Sequence, residues 1–442
     1  MRKKICSQWM NQIRILSLST LCLAGLVSCE NDADVKGSDD EKVVLKMASW
    51  RVEDVAQMNR INSLFTQKHP NITIQFEAVV PEVFDSVNLS TFAEGKGADI
   101  VFLRSYDKGS ALYDRGYLYD LTDVIPNLDA YNPTYVDAWS SDNGVTYGVP
   151  SVGVTQGIYY NKALFAQYSL TEPTTWDQLM TICETLRTAG VTPFAQGAAD
   201  TWTLYENIYS GLGANFYGGE LGRQALMEGT ETVTNSDFVD AFVMLDSLTT
   251  YFPNNFIDLG YEDLRAQFAE GDYAMLISGS WEIAVLEQMG ADTTKIGWFP
   301  APVKHEGDKL QYCYHVDAGI GVNKNTKHLQ AALEYIKWVS GNEYAENIMK
   351  ELPGFFSYTP GVTVTPTHPL AKEMYALIAT SDLTVRAMCQ DLSTSTGSGD
   401  ALMGEVLREM LKGTYTPLQA ANYVESQLER KTSSIRYGYS LK

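Results

Sequence analysis

Two hydrophobic periodicities alternate along the first hundred residues, and this alternation constrains the fold more than any other feature. Val43 to Ala48 (VVLKMA) is an apolar run of strand length. Residues 54–67 then carry Val55, Met58, Ile61 and Phe65 at helical spacing, and Pro70 stops the run. Ile72, Ile74 and Phe76 alternate as in a strand, and residues 98–103 (ADIVFL) form another buried-strand candidate. Leu112, Leu118 and Leu121 belong to a following helix-and-turn segment. Strand, helix and strand in this order predict an α/β layered sheet.

Later segments carry their own punctuation. Thr175-Trp176-Asp177-Gln178 fits a capping box, with Gly190 at the far end of the helix it opens. Thr416-Pro417-Leu418-Gln419 repeats the device, with proline at the first helical position. Leu329, Ala332, Ile336 and Val339 mark another amphipathic helix, and residues 274–279 and 318–323 read as short strands. Residues 393–399 (STSTGSG) read as a loop.

The chain has 442 residues, 45% hydrophobic and 20% charged, which suits two or three globular domains at ~150 residues each. Its formal charge of −21 disfavours a nucleic-acid partner, because a phosphate backbone needs a basic surface. Residues 1–14 are basic and free of acidic groups, residues 15–27 are an apolar run, and Leu26-Val27-Ser28 leads to Cys29. The run is shorter than the ~20 residues of a membrane span. This order resembles a bacterial lipoprotein signal, which implies cleavage before Cys29 and lipid on its sulfur. Residues 29–42 read as a polar tether, and no later stretch approaches a spanning length. Cys183, Cys313 and Cys389 are widely spaced and lack any C-x-x-C pattern, which argues for buried thiols, with one disulfide possible, over zinc or redox chemistry.

Signatures of enzymes are missing. There is no P-loop, no H-E-x-x-H and no G-x-S-x-G. His69, His305, His315, His328 and His368 are too scattered for a metal-ligand spacing. No catalysis, cofactor or metal is expected.

Residues 144–165 read GVTYGVPSVGVTQGIYYNKALF, residues 170–179 LTEPTTWDQL, and residues 268–281 FAEGDYAMLISGSW. Residues 329–349 add LQAALEYIKWVSGNEYAENIM. In this order and spacing they resemble the extracellular solute-binding proteins of ABC importers, in the carbohydrate-binding, maltose-binding-protein-like branch. The resemblance covers residues 43–430. It implies a two-lobe, periplasmic-binding-protein-like α/β fold, each lobe a sheet flanked by helices, joined by a hinge of crossing segments. Crossings are implied near 149–156, 297–302 and 341–353. Lobe 1 is then 43–152 plus 303–350, and lobe 2 is 153–302 plus 351–442.

The implied activity is capture of a mono- or oligosaccharide by hinged closure and delivery to ABC permease subunits. The receptor is expected to be a monomer, held on the extracytoplasmic face of the cell membrane by its lipid alone. Sugar faces stack on flat aromatic rings, and sugar hydroxyls need convergent polar partners. Trp281, in Gly279-Ser280-Trp281, matches the family's stacking tryptophan; the other reading is a core residue. Trp202 occupies a loop-to-helix step where the family often places an aromatic. Trp50 follows the first strand, with Arg51 and Glu53 beside it, where strand ends of open α/β sheets face a cleft. Arg104 and Asp107 follow the strand 98–103; they are ligand contacts or a surface ion pair. Gln156 lies in the first crossing, and His315 and Asp317 precede a strand that the family brings to the cleft edge. Tyr159 and Tyr160 are expected to divide between cleft wall and core. Trp176 is expected to be structural. Val154 stands where maltose-binding protein has a glutamate, which speaks against maltose-type recognition. The alternatives are the same fold around a polyamine or peptide, and a surface glycan-adhesion lipoprotein.

Overall fold

The computed structural model describes residues 42–385, 392–394 and 397–429. The signal, Cys29, most of the tether and Cys389 lie outside the described residues.

The first part of the chain builds β1 (Val43–Ser49), α1 (Val55–Lys68), β2 (Ile72–Ala78), α2 (Pro81–Ala93), β3 (Ile100–Arg104) and α3 (Asp107–Tyr113). After α4 (Pro133–Asp137) comes β4 (Val149–Asn161), then α5 (Lys162–Gln167) and α6 (Trp176–Thr188). A π-helix (Thr203–Leu212) leads into α7 (Ala214–Tyr217), α8 (Gly219–Glu228), α9 (Ser236–Leu248) and α10 (Tyr261–Glu270). Next are β5 (Met275–Gly279), α11 (Glu282–Gln288), β6 (Ile296–Pro300) and β7 (Gln311–Val322). The remainder is α12 (Leu329–Val339), α13 (Asn342–Glu351), β8 (Phe356–Ser357), α14 (Pro369–Ile378), β9 (Asp382–Thr384), β10 (Ser393–Thr394), β11 (Gly397–Ser398), α15 (Gly399–Leu411), α16 (Pro417–Gln427) and β12 (Leu428–Glu429).

β1 lies between β2 and β3 and runs parallel to both. β3 pairs antiparallel with β7, and β7 with β4. The two long strands carry the sheet onward. Residues 149–155 of β4 pair with β7, whereas residues 156–161 lie between β5 and β6. Register shifts around Val152 interrupt the β4–β7 pairing ahead of the change of partners. The result is a curled, mixed sheet with helices on its faces, the expected α/β two-lobe class.

Burial follows the periodicities. On α1, Met58, Ile61 and Phe65 are buried at i, i+3 and i+7. They join a core that runs from β1–β3 through β4 and β7 to Trp281 and Trp298. A second core lies among α6, the π-helix, α9, α15 and α16. Each fully buried Leu or Phe contributes about 1.5–3 kcal/mol relative to exposure. Both capping boxes form, at Thr175 with Gln178 and at Thr416 with Gln419. Asn161 accepts from the amides of Ala163 and Leu164 and so starts α5. Cys183 and Cys313 are buried and are not joined in a disulfide.

Three expectations need correction. Residues 393–394 and 397–398 form a small antiparallel ladder with β12 where a loop was expected, because serine and threonine at these positions find strand partners. Residues 318–323 are the end of a twelve-residue strand instead of a short one. Tyr159 and Tyr160 both go inside: Tyr159 donates to Gly279 O (2.9 Å) and Tyr160 to Glu172 Oε1 (2.7 Å), so each phenol finds a protein acceptor.

Candidate functional site

Trp281 follows β5 directly, and its placement depends on Gly279. A Cβ there would lie 2.0 Å from the indole, so only glycine lets the ring lie across the strand end. The indole Nε1–H is shared between Tyr261 Oη (2.9 Å) and Glu282 Oε1 (3.1 Å). Ser278 Oγ donates to the same Glu282 oxygen (3.0 Å) and lies 3.1 Å from Tyr261 Oη. The backbone N–H of Tyr261 donates to Asp200 (2.7 Å), which fixes the start of α10 beside the strand. Trp202, half-buried, meets the Tyr261 ring edge-on at 4.9 Å and lies 6.3 Å from Trp281. Three aromatic rings from separate elements thus meet in one cluster, with Trp202 the most open of the two tryptophans.

A charged group adjoins it. The Arg265 guanidinium lies 5.1 Å from the Tyr261 ring centroid, hydrogen-bonds Glu262, and stands 3.8 Å from Glu282 Oε2. Burial lowers the Arg265 pKa, with Glu262 and Glu53 pulling against it. Burial also holds the Glu282 carboxyl well above the usual carboxylate range, opposed by Arg51 and reinforced by Glu53. Arg51 and Glu53, from the end of β1, are therefore close enough to act on both groups. Arg51 grips the buried Asp54 through Nε (2.6 Å), pairs with Glu53 (3.2 Å) and lies over the Phe355 ring at 4.9 Å. Asp317, on β7, adds its charge to the field at Arg51.

Trp50 is placed differently. It is buried against Phe84 and Phe102, edge-on at 5.3 and 6.0 Å, and the Arg104 guanidinium covers its ring at 4.5 Å. Arg104 also reaches Asp85 (3.3 Å). Arg104, Asp85, Asp107 and Lys108 line a cavity of about 200 Å³ floored by Phe84 and Phe102. Lys108, on α3, pairs with Asp400 at the start of α15 (3.0 Å).

Gln156 and His315 are deep, each 1% exposed. Gln156 stands opposite Gly279 on β5 and so shares a sheet face with the Trp281 indole. On its other side a Cβ at Gly211 of the π-helix would be 2.8 Å from the Gln156 Cβ. Neither amide atom of Gln156, nor of the fully buried Asn207 one turn earlier on that helix, has a protein hydrogen bond. His315 stands opposite Val154 in the β4–β7 pair, and Tyr358 Oη donates to its carbonyl (2.9 Å).

The structure therefore brings Gln156, Trp202 and Trp281 to one region, with Glu53 and Asp317 at the Arg51 cluster beside it. Arg104 and Asp107 line a separate cavity, Trp50 lies under the Arg104 guanidinium, and His315 stands inside the sheet. Trp176 packs edge-on to Phe216 (5.3 Å), as a structural residue does. Tyr261, Arg265, Glu282, Asn207 and Lys108 were not singled out from the sequence. Glu282 directly follows the motif tryptophan, and Tyr261 and Arg265 are spaced i, i+4, but 54 acidic residues and common helical spacing hide such signals. Among the described residues no group of three or more metal-ligating side chains occurs.

Residues 47–346 match the bacterial extracellular solute-binding protein family. The chain belongs to this family. As a solute-binding protein it is a receptor and not an enzyme. It is 24% identical to the multiple sugar-binding protein of Streptococcus mutans over 342 residues, which is 75% of this chain and 79% of that one. It is 25% identical to the maltodextrin-binding protein MdxE of Bacillus subtilis over 427 residues, 91% of this chain and 97% of that one. Its fold is also that of a solved structure from work on xylan utilization by Caldanaerobius polysaccharolyticus. The TM-score is 0.75 at 20% identity, covering 87% of this chain and 99% of that one.

Proposed function

We propose that this solute-binding protein is a lipid-anchored extracytoplasmic receptor. It captures a mono- or oligosaccharide by closure of two lobes and delivers it to an ABC permease. The lobes comprise 43–152 plus 303–350 and 153–302 plus 351–442. The observation that carries the ligand class is the Trp202–Tyr261–Trp281 cluster with groups of both charge signs around it. Flat rings suit the apolar faces of a pyranose, and mixed donors and acceptors suit its hydroxyls. The sugar-binding relatives support the same class. Arg51 and Arg265 beside the cluster weigh against a polyamine, whose charges they would repel. Of the predicted contacts, Glu53, Gln156, Trp202, Trp281 and Asp317 belong to this site, with Trp50, Arg104 and Asp107 at its edge.

Thermal unfolding of the purified protein against sugars, polyamines and peptides tests the reading. A ligand at 100 times its Kd adds ~2.7 kcal/mol and moves the midpoint by a few degrees. A shift with one class of neutral sugar supports the proposal, and a shift with polyamines or peptides alone overturns it.

A further inference from the structure

Arg265 and Glu282 are 6% and 0% exposed, yet each keeps one hydrogen-bonding atom without a protein partner. On Arg265 it is Nε, since Nη2 is taken by Glu262. On Glu282 it is Oε2, since Oε1 already receives Trp281 and Ser278. The two side chains do not complete each other: the approach of Nη1 to Oε2, at 3.8 Å, is an ion-pair distance beyond hydrogen-bond reach. A buried charged group left short of a hydrogen bond loses stability, so two such atoms on neighbouring side chains call for an occupant.

The surroundings narrow its chemistry. The guanidinium lies against Tyr261, whose ring meets Trp202 and whose hydroxyl receives Trp281. The aromatic face and the two open polar atoms thus belong to one wall. A cation would meet Arg265, with Arg51 nearby, and an anion would meet Glu282, with Glu53 nearby. A hydroxyl suits both atoms. It accepts from Nε–H, and it donates to Oε2 when Glu282 is ionised or accepts from it when the carboxyl holds its proton.

We infer that Arg265 Nε and Glu282 Oε2 form a subsite for one hydroxyl of a neutral, ring-stacked ligand, and that this pair sets selectivity for uncharged polyols over amines and carboxylates. The inference rests on the sugar-receptor reading and names two residues that act in it. Arg265 and Glu282 then touch ligand, while Ser278 and Tyr261 hold Glu282 and the indole in place.

The test is calorimetric titration of wild type, Arg265→Lys and Glu282→Gln with maltooligosaccharides, xylooligosaccharides, chitooligosaccharides, raffinose and spermidine. Arg265→Lys is expected to bind the preferred sugar about 10- to 100-fold more weakly, and Glu282→Gln to do so at pH values where the wild-type carboxyl is ionised. One monodeoxy analogue of that sugar should bind wild type equally poorly and lose nothing further in the variants. Thermal unfolding without ligand separates misfolding from lost contact, and Glu282→Gln, nearly isosteric, is the variant expected to keep its midpoint. Sugar binding within twofold of wild type in both variants overturns the subsite and leaves the sugar reading standing. Binding of spermidine alone overturns both. A high-resolution crystal structure without ligand decides the geometry independently of the panel. A water hydrogen-bonded to both Nε and Oε2 supports the subsite, and a direct hydrogen bond between these two atoms overturns it.

Discussion

The guanidinium of Arg104 lies 4.5 Å from the centroid of the Trp50 ring and closes it off, while Phe84 and Phe102 hold the edges. A cation over an indole contributes about 0.5–2 kcal/mol. Arg104→Ala is therefore expected to lower stability by about that amount and to uncover Trp50. Acrylamide quenching of tryptophan emission should rise in this variant, and the rise should vanish when Trp50→Phe is added. Unchanged quenching would mean that other side chains cover the ring.

Lys108 and Asp400 tie α3 to the start of α15. Burial alone would raise the Asp400 carboxyl, but Lys108 and the Ser398 hydroxyl outweigh it and hold it below the usual aspartate value. A carboxyl lowered on folding adds stability above its unfolded pKa of ~3.9, and this is lost as pH falls through the folded value. Lys108→Met should lose about 1–2 kcal/mol at pH 7, discounted for the part-open lysine. The difference from wild type should shrink toward pH 3. Urea midpoints measured across pH 3–7 check this, and a constant gap would exclude the pair as its source.

Glu282 carries the opposite sign. Burial, with Glu53 adding to it and Arg51 opposing, lifts its carboxyl well above the ordinary range, and Arg265 stands 3.8 Å away. A carboxyl raised on folding contributes fully below its unfolded pKa of ~4.3, and the contribution fades as pH climbs through the folded value. Glu282→Gln keeps the acceptor for Trp281 and Ser278 and cannot ionise. Its urea midpoint should fall less than that of wild type over the window from about pH 4 upward. Parallel profiles would show that Glu282 does not titrate in this window.

What the sequence revealed and what it hid divide by the range of the interaction. Both capping boxes and the α1 stripe depend on neighbours within a helical turn, and they stand where motif and periodicity predict. Trp202, Trp281 and Gln156 were singled out because a motif or an expected crossing marked them. The partners that hold them were not, since Tyr261 reaches Trp281 from twenty residues away and Gly211 meets Gln156 from a separate element. The depth of His315 was equally hidden: only the β4–β7 pairing, with its two strands far apart in sequence, encloses it. The ladder at 393–398 escaped because its third strand is Leu428–Glu429.

Gly279 is expected to tolerate no side chain. The Cβ of Gly279→Ala would meet backbone-anchored indole carbons at 2.0–2.3 Å, so the ring must turn away. Overpacking of this kind costs about 1–3 kcal/mol. The sharper readout is binding: a displaced Trp281 should weaken sugar affinity beyond the tenfold level even where the variant stays folded. Affinity equal to wild type would show that the indole orientation does not serve the ligand.

Trp202 and Trp281 should separate stability from binding. Trp281 is 7% exposed and its Nε1–H serves two acceptors, so Trp281→Ala removes core packing and two hydrogen bonds. A loss of about 3–5 kcal/mol of stability is expected. Trp202 is half-buried and rests on Tyr261 by its edge, so Trp202→Ala should cost only about 1–2 kcal/mol of stability. Both rings face the proposed ligand, and each truncation should remove about 2–4 kcal/mol of sugar binding, as central aromatic contacts do. Urea melts and calorimetric titrations on the two variants give the four numbers. A larger stability loss in Trp202→Ala than in Trp281→Ala would overturn the structural assignment, and unchanged sugar affinity in either variant would remove that ring from the proposed site.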